Sequence, residues 1–413
     1  MIRNTGLSKN ALVNHLGLMM DAGLVERISR GKYKLTVDGD ELADAVTTVY
    51  RNSLRREEER REHVQRLYAT GLTEGERMDK KEIDKNVEYQ PCWLSYTGAV
   101  AGSLKALGTE CDIVDVGGYS GYAFMINVFK ETTCPSGPTA LTDKVWEMIH
   151  KGTEMLGWKM EHWFDNTPYP MKEGAPTPEE HEKVKKLFEK VKKEIEEKDR
   201  PVVLWGLVIP EYGIVKGYQG NSYLVSTFRK LTEPGKPEDP VAYHELKAPG
   251  CLDAYFFKDK IKVDRQKTDR QALERAINFA TGSVPVHNKY VAGPAALDEW
   301  ANQLENLPND KLIYMGNSYV GNCVAEGRAM SAAFLKRLAK RLKGKQSKHL
   351  LDAAKSYEQG AELMEQFNKV FPFKQQGEMT LEDRKKGAEI LRKVKPLEEK
   401  AIENMKKALK EWK

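Results

Sequence analysis

The chain has 413 residues, enough for two or three domains, and 31% of them are charged, with many Lys and Glu, a composition that leans toward a thermophile. Met1 is followed by a polar segment and no apolar run approaches the length of a membrane span, so we expect a cytoplasmic protein without membrane contact. The five cysteines stand singly, without a CxxC pair, which disfavours both a disulfide framework and a zinc site. We therefore expect free thiols, no metal and no cofactor.

The net charge of +5 is unevenly distributed. Residues 326–413 carry a surplus of nine positive charges, whereas residues 1–90 are neutral and residues 91–325 carry −4. The run 336–348 (KRLAKRLKGKQSK) holds seven basic residues and no acid. Such a run is typical of a solvated helix face, and it also fits a nucleic-acid footprint or a surface that attracts an acidic carrier protein.

The first fifty residues follow a pattern of one helix and a basic hairpin. A serine cap and apolar residues at helical spacing predict a helix from Lys9 to Ala22. Two short strands, Leu24–Arg27 and Tyr33–Thr36, follow around a basic turn. Residues 1–50 thus resemble the second half of a winged helix-turn-helix domain of archaeal and bacterial regulators, whose usual first helix is missing here.

This resemblance implies DNA contacts from the recognition helix to base edges and from the wing to phosphates. The predicted DNA-binding residues are Lys9, Asn10, Asn14, His15, Arg27, Arg30 and Lys32. Such domains also serve as protein–protein modules, and that alternative stays open. The charged segment Asp40–Arg66 predicts a helix through which a homodimer would form, and residues 67–90 are interpreted as a linker.

The best candidate for chemistry is Cys92, which precedes a predicted helix of small residues from Leu94 to Leu107. A helix N-terminus lowers the pKa of a thiol, although most cysteines in such places are simply buried. Two predicted strands, Val202–Ile209 and Tyr212–Tyr218, complete the layout of a papain-like thiol enzyme. Glu211 stands where such an enzyme has its histidine, and a carboxylate beside a thiol raises the thiol pKa. A hydrolytic Cys-His-Asp triad is therefore disfavoured.

Longer motifs make the resemblance more specific. They are Cys92-Trp93, the run Gly117–Val128 (GGYSGYAFMINV), Cys134–Pro138, Pro210–Gly213 and the helical stretch Asn317–Leu335. Over about residues 90–373 the chain resembles the N-terminal domain of the butirosin biosynthesis protein H-like family. The resemblance implies a papain-like fold in a family that includes a thiol acyltransferase, and many of its members carry Pro-Glu-aromatic-Gly as here.

Several other residues remain open at this stage. The glycine-rich run 117–121 either lines a pocket or forms a structural turn. Glu326 and Arg328 either reach the cleft or, the better expectation, form an ion pair that packs a helix. Other candidate bases, each more typical of a structural role, are His150, His162, His244 and His287.

The sequence therefore predicts an α+β protein with four parts: a winged helix (1–50), a charged helix and linker (51–90), a papain-like domain (91–325) and a C-terminal helical region (326–413). Predicted helices in the last region are Ala325–Leu342, Ser347–Val370 and Leu381–Trp412, broken near Pro396.

Two functions are consistent with this reading. The first is a DNA-binding regulator that senses a small molecule in a pocket lined by Cys92, Tyr119, Tyr122, Glu211 and Tyr212. The second is a thiol acyltransferase or amidohydrolase in which Cys92 is the nucleophile and Glu211 an acid/base group, with an acyl carrier as a further partner.

Overall fold

The computed structural model describes residues 79–170 and 176–412, together with residues 20, 22, 24–29 and 32–36 of the N-terminal segment. The chain divides into two compact units, residues 1–77 and residues 78–413.

In the smaller unit, the described residues form a β-hairpin. Strand β1 (Val25–Ser29) pairs antiparallel with β2 (Lys32–Leu35), with Val25 opposite Leu35. The amide of Thr36 donates to the carbonyl of Leu24 at 3.0 Å and extends the ladder by one bond. The predicted hairpin is confirmed, with a shorter turn than expected. The predicted recognition helix and the segment Asp40–Arg66 lie outside the described residues.

The larger unit is a mixed α+β structure around an antiparallel sheet of seven strands. These strands are β3 (Lys80–Glu82), β5 (Trp158–Asp165), β6 (Val202–Trp205), β7 (Tyr212–Gln219), β8 (Ser222–Ser226), β9 (Val241–Ala242) and β10 (Leu252–Lys260). Their order in the sheet is β5-β10-β6-β7-β8-β9, and β3 and β6 pair in succession with the same edge of β7. A separate antiparallel pair is formed by β4 (Asn127–Phe129) and β11 (Tyr290–Ala292).

Ten helices accompany these strands in the described part of the larger unit. They are α1 (Ser95–Ala106), α2 (Ile113–Ser120), α3 (Asp143–Glu154), α4 (Pro178–Lys198), α5 (Arg229–Thr232), α6 (Arg265–Thr281), α7 (Pro294–Asn306), α8 (Tyr314–Arg341), α9 (Gly344–Val370) and α10 (Leu381–Lys410). Short 3₁₀ turns cover Tyr122–Phe124, Tyr243–Glu245 and Asn309–Lys311. No described helix is both long enough and apolar enough to cross a bilayer.

The sheet is covered on both faces. On one face, Tyr96 of α1 packs edge-on against Tyr255 of β10. On the other face, Phe188 of α4 packs against Tyr223, and Lys190 lies over the ring of Phe256. Because successive strand residues point to opposite faces, Tyr255 packs against the helix layer on one face and Phe256 against the layer on the other.

Helix α1 lies close to the chain that precedes it because it carries glycines at the crossing points. A Cβ added at Gly98 would lie 2.4 Å from the carbonyl oxygen of Gln90, and one at Gly102 would lie 2.1 Å from that of Glu88. Neither distance is tolerated by a real side chain, so the segment before Cys92 packs against α1 only with glycine at these positions. This packing and strand β3 place residues 79–90, interpreted as linker, within the larger unit.

The C-terminal region is an antiparallel bundle of α8, α9 and α10 whose first helix begins earlier than expected. Helix α8 starts at Tyr314, so the boundary predicted at residue 325 falls inside it. The predicted break near Pro396 is wrong, since α10 continues through Pro396. The predicted ion pair between Glu326 and Arg328 is also wrong: the fully buried Arg328 pairs with Glu398 of α10.

Candidate functional site

Cys92 lies at the entrance to α1, two residues before its N-cap residue Leu94, and its side chain is fully buried. Tyr89 fixes the position of this segment through two hydrogen bonds, one from its backbone amide and one from its side-chain hydroxyl. Its amide donates to Ser226 Oγ at 2.9 Å, and its hydroxyl donates to the carbonyl of Cys92 at 2.7 Å. The sheet and α1 together therefore determine where the thiol lies.

The partner of the Cys92 thiol is Glu326, a residue of α8. Cys92 Sγ donates to Glu326 Oε2 at 3.0 Å, and the same oxygen accepts the amides of Trp93 at 2.6 Å and Leu94 at 3.2 Å. No residue of α1 caps its own N-terminus with a side chain, so Glu326 supplies that cap from a distant helix.

The electrostatic setting keeps the thiol protonated. Burial raises the pKa of Cys92 well above its ordinary value, and the charge of Glu326 and its hydrogen bond raise it further, against a smaller lowering by the Leu94 amide. Burial also raises the pKa of Glu326, although its bonds to Cys92, Leu94 and Trp93 oppose this. The helix N-terminus that was expected to lower the thiol pKa is instead occupied by the carboxylate of Glu326.

Glu211 is a second buried carboxyl group near the N-terminus of α1. Glu211 immediately precedes β7. The strand before it, predicted over Val202–Ile209, ends at Trp205 because Gly206 and Val208 adopt positive φ. Burial raises the Glu211 pKa to about 7, against hydrogen bonds from Ser95 of α1 and Tyr319 of α8. Its Oε2 atom has no hydrogen-bond partner among the described residues.

A second thiol, Cys323, completes the group. Its Sγ lies 3.6 Å from the carbonyl oxygen of Trp93, and burial together with the charges of Glu211 and Glu326 raises its pKa well above the ordinary value. We call Cys92, Cys323, Glu211 and Glu326 the thiol–carboxyl cluster.

Aromatic side chains cover the cluster. The ring of Trp93 makes edge-on contacts with Phe228, Tyr319 and Phe373, at centroid distances of 5.8, 6.2 and 4.8 Å. Phe373 belongs to the segment between α9 and α10 and remains about one-third exposed. The thiol therefore lies beneath packed rings rather than in an open cleft.

The four histidines considered as bases lie elsewhere. His162 Nε2 is 2.8 Å from Asp253 Oδ1, and the neighbouring His150 is packed among aromatic rings, where burial lowers its pKa to about 3. His244 packs against Tyr243, and His287 packs against Tyr290 of β11. Among the described residues, Cys92 makes no hydrogen bond with any histidine.

The predicted pocket tyrosines do not converge. Tyr119 donates to Asp269 Oδ1 at 2.5 Å and accepts from Arg265 at 2.8 Å, and its helix α2 packs so closely that a Cβ at Gly118 would lie 2.1 Å from the Phe334 ring. The run 117–121 is thus mainly the end of a packed helix. Tyr212 donates to Asp253 Oδ2 at 2.7 Å, which leaves Tyr122 as the predicted tyrosine that lines a cavity.

That cavity is very small: about 20 Å³ of it is open to the centre of a water molecule, which is room for about one water, and it adjoins the cluster at Cys323. Its remaining lining is mostly apolar: Leu94, Tyr122, Met125, Ile126, Asn127, Pro138, Val320 and Val324. Asn127 is buried and donates to the carbonyls of Gly137 and Ala140, while its Oδ1 has no partner among the described residues. The cavity thus presents one free hydrogen-bond acceptor in apolar surroundings.

The predicted DNA-binding residues are only partly described. Arg27 lies in β1 and Lys32 opens β2, where Ser29 pairs with Lys32 at the hairpin end. The remaining predicted contacts lie outside the described residues: Lys9, Asn10, Asn14, His15 and Arg30.

Sequence reasoning did not place Cys323 and Tyr319 in the site, and it gave a place in the cleft only as the less favoured alternative for Glu326, which contacts Cys92. The three residues follow the spacing i, i+4, i+7 on one face of α8, which is a signal that the sequence contains. Their contacts with Cys92 and Trp93 join residues more than 200 positions apart along the chain, and no local pattern reveals them. No described group of three or more His, Cys, Asp or Glu side chains is arranged to hold a metal ion.

Comparison with known proteins adds no relative. The chain matches no model of a known protein family, and no curated protein sequence is significantly similar to it.

Proposed function

We propose that this chain is a DNA-binding regulator whose larger unit binds a small molecule without turning it over. The observation that carries the proposal is that the Cys92 thiol bonds to the carboxyl group of Glu326, whereas a thiol enzyme needs an imidazole as the partner of its thiol. A buried thiol with a raised pKa is a weak nucleophile. The site is therefore better suited to binding than to cleavage.

The DNA-binding half of the proposal is supported by the basic hairpin and by the sequence before it. Residues 1–36 carry six basic and two acidic residues, and the described residues of this segment form an antiparallel hairpin, as the wing of such a domain does. In this proposal the protein is cytoplasmic, and it binds a palindromic operator as a homodimer through the segment Asp40–Arg66.

The ligand half of the proposal is supported by the cavity beside Cys323. Its apolar lining and the Oδ1 of Asn127, which has no partner among the described residues, suit an apolar group of a few atoms that donates one hydrogen bond, since the space is about that of one water. The adjacent Glu211, with a pKa of about 7, gives such a site a group that gains or loses a proton near neutral pH. The papain-like, butirosin-H-like fold implied by the sequence would then serve as a binding scaffold.

The test is binding of the purified protein to the DNA that precedes its own coding region. We expect affinity that falls steeply with KCl concentration, is stronger than for a scrambled duplex, and is lost in the triple variant R27A/R30A/K32A. The matched control is K185A/K186A/K193A on the exposed side of α4. Equal binding of promoter and scrambled DNA by all three proteins would overturn the proposal.

A second candidate, a thiol acyltransferase or amidohydrolase, rests on the 3.0 Å contact between Cys92 Sγ and Glu326 Oε2. In that reaction Glu326 takes the thiol proton as sulfur attacks the acyl carbon, and the former donor group leaves as a protonated thiol or amine. Glu211 is the further acid/base group near the helix N-terminus.

Alkylation and acylation separate the two candidates. For a binding fold we expect iodoacetamide to label the partly exposed Cys111, Cys134 and Cys251 before the buried Cys92. An enzyme would instead show fast, selective labelling of Cys92 and, with a short-chain acyl thioester, an acyl adduct that mass spectrometry finds in the wild type and not in C92A.

A further inference from the structure

The basic run 336–348 separates into two groups in the structure. Three of its seven basic residues point toward acids of other elements. Lys336 pairs with Glu358, Arg337 pairs with Asp112 and Asp115, and Arg341 pairs with Asp269. These three residues fasten α8 to α9, α2 and α6, so they have a structural role and are not free to bind a partner.

The other four, all lysines, are exposed and meet two more at one end of the bundle. The turn between α8 and α9 lies beside the last turn of α10, because the side chain of Gln346 donates to the carbonyl of Glu411. This end carries Lys340, Lys343, Lys345, Lys348, Lys406 and Lys410, which we call the lysine end. None of these six has an ion-pair partner among the residues that the structure describes.

Helix stability does not account for all of these charges. Lys340 and Lys410 lie in the last turns of α8 and α10, where a cation is favourable. Lys343, Lys345 and Lys348 instead surround the N-terminus of α9, whose first turn contains no acid and has no side-chain cap. Cations there are modestly unfavourable for the fold by the same helix-dipole argument, and a bound anion would offset that cost.

We infer that the lysine end binds the phosphate backbone of a nucleic acid, as a sequence-independent contact in addition to the winged helix. This inference rests on the proposed DNA-binding function. It is supported by the residue type, since all six charges are lysines, which act as flexible point charges on phosphates. Protein–protein interfaces are instead depleted in lysine and enriched in aromatic residues and arginine. Among the described residues, the one large apolar side chain exposed close to this surface is that of Leu351.

The surface also bears acids that limit its strength. Glu411 and Asp352 border the lysine end, and Glu403 pairs with Lys407 on the same helix. The six lysines outnumber these acids, so the local field remains positive and attracts polyanions over about a Debye length.

The experiment measures binding to the upstream DNA and to a scrambled duplex of equal length over a range of KCl concentrations. The variant K340Q/K343Q/K345Q/K348Q removes four charges, and the control K185Q/K186Q/K193Q/K198Q removes four from the exposed side of α4. We expect the lysine-end variant alone to bind both duplexes at least about tenfold more weakly, with a slope of log K against log salt reduced by about 3.

Each outcome has one meaning. Unchanged affinity and slope in the lysine-end variant, or no binding of the scrambled duplex by the wild type, would overturn the inference. So would tight, lysine-end-dependent binding of polyglutamate without duplex binding, which assigns the surface to acidic proteins. Failure of the proposed function looks different: promoter preference is then absent, and R27A/R30A/K32A binds as the wild type does, whatever the lysine-end variant does. Circular dichroism of both quadruple variants checks that they are folded.

Discussion

At the scale of single residues, the site depends on how one carboxyl group is used. Glu326 Oε2 accepts the amides of Trp93 and Leu94 and the thiol of Cys92, so it serves as both helix cap and thiol partner. A carboxylate in that position stabilises the helix and suppresses the thiolate. The same atom thereby explains why α1 begins where it does and why Cys92 is a poor nucleophile.

The first prediction concerns Glu326→Gln. Because the charge of Glu326 raises the Cys92 pKa, its removal lowers that pKa, while burial still holds it above the ordinary value. The pH at which iodoacetamide alkylates Cys92 at half its maximal rate therefore shifts downward, as followed by peptide mass spectrometry. Glu362→Gln, an exposed change on α9, leaves the profile unchanged. An upward shift in E326Q would contradict the electrostatic account.

The second prediction concerns Glu211 and the pH dependence of stability. Its pKa is about 7 in the folded chain and near 4.5 in the unfolded chain, so the fold favours the protonated form. The stabilisation is fully present below about pH 4.5 and is lost as pH rises through about 7. Glutamine at this position does not titrate. The free energy of unfolding of Glu211→Gln, relative to that of the wild type, therefore rises by roughly 3 kcal/mol between pH 4.5 and pH 8.

Urea unfolding of both proteins at several pH values measures that difference. Glu182→Gln, at an exposed position on α4, is the matched control and tracks the wild type at every pH. A constant difference between E211Q and the wild type across this range would show that Glu211 stays ionised in the fold.

At the scale of elements, glycines decide how closely helices approach their neighbours. Gly98 and Gly102 admit the segment that carries Cys92, and Gly118 admits the ring of Phe334. The run 117–121 suggests a loop by its composition alone, because glycine is unfavourable in helices. The close contact between α2 and α8 reverses that expectation, since the space gained by removing a Cβ outweighs the helix propensity lost.

A pair of glycine substitutions tests this interpretation. Gly118→Ala places a Cβ within 2.1 Å of Phe334, so we expect a loss of about 1–3 kcal/mol in the free energy of unfolding. Gly360→Ala, inside α9, meets only Arg328 Cγ at 3.8 Å, and we expect a gain of about 0.5–1 kcal/mol. Denaturant titration measures both, and destabilisation of equal size in the two variants would refute the packing argument.

At the scale of the whole molecule, a buried arginine, Arg328, joins two helices of the C-terminal bundle through its ion pair with Glu398 and ties the bundle to the rest of the larger unit through backbone carbonyls. The side chains of Arg328 and Glu398 are each only 1% exposed, and Arg328 also donates to the carbonyls of Ala123 and Met125. These carbonyls belong to the 3₁₀ turn after α2 and the residue following it. The bundle is therefore an integral part of the structure that presents Glu326, Cys323 and Tyr319 to α1.

Removal of one partner should show this coupling. Glu398→Ala leaves a buried guanidinium without its counter-charge, and we expect a loss of about 3–5 kcal/mol in the free energy of unfolding. The exposed Glu399→Ala on the same helix is the control, with little change. Urea unfolding followed by tryptophan fluorescence, which includes Trp93, reports whether bundle and site unfold together. A first transition that leaves Trp93 unaffected would show that they unfold independently.

The sequence by itself determined the local elements of this protein. Periodicity and caps predicted the helix after Cys92, the hairpin of β1 and β2, and the three C-terminal helices, because hydrogen-bonding groups and apolar spacing act over a few residues. Only the tertiary structure decided what Cys92 meets. Its contact with Glu326 and the burial of Arg328 with Glu398 join residues about 230 and 70 positions apart, and such pairs depend on packing that no local pattern encodes. The same holds for the basic run 336–348, where the fold turned three residues toward acids and left four at a surface that the sequence could not distinguish from them.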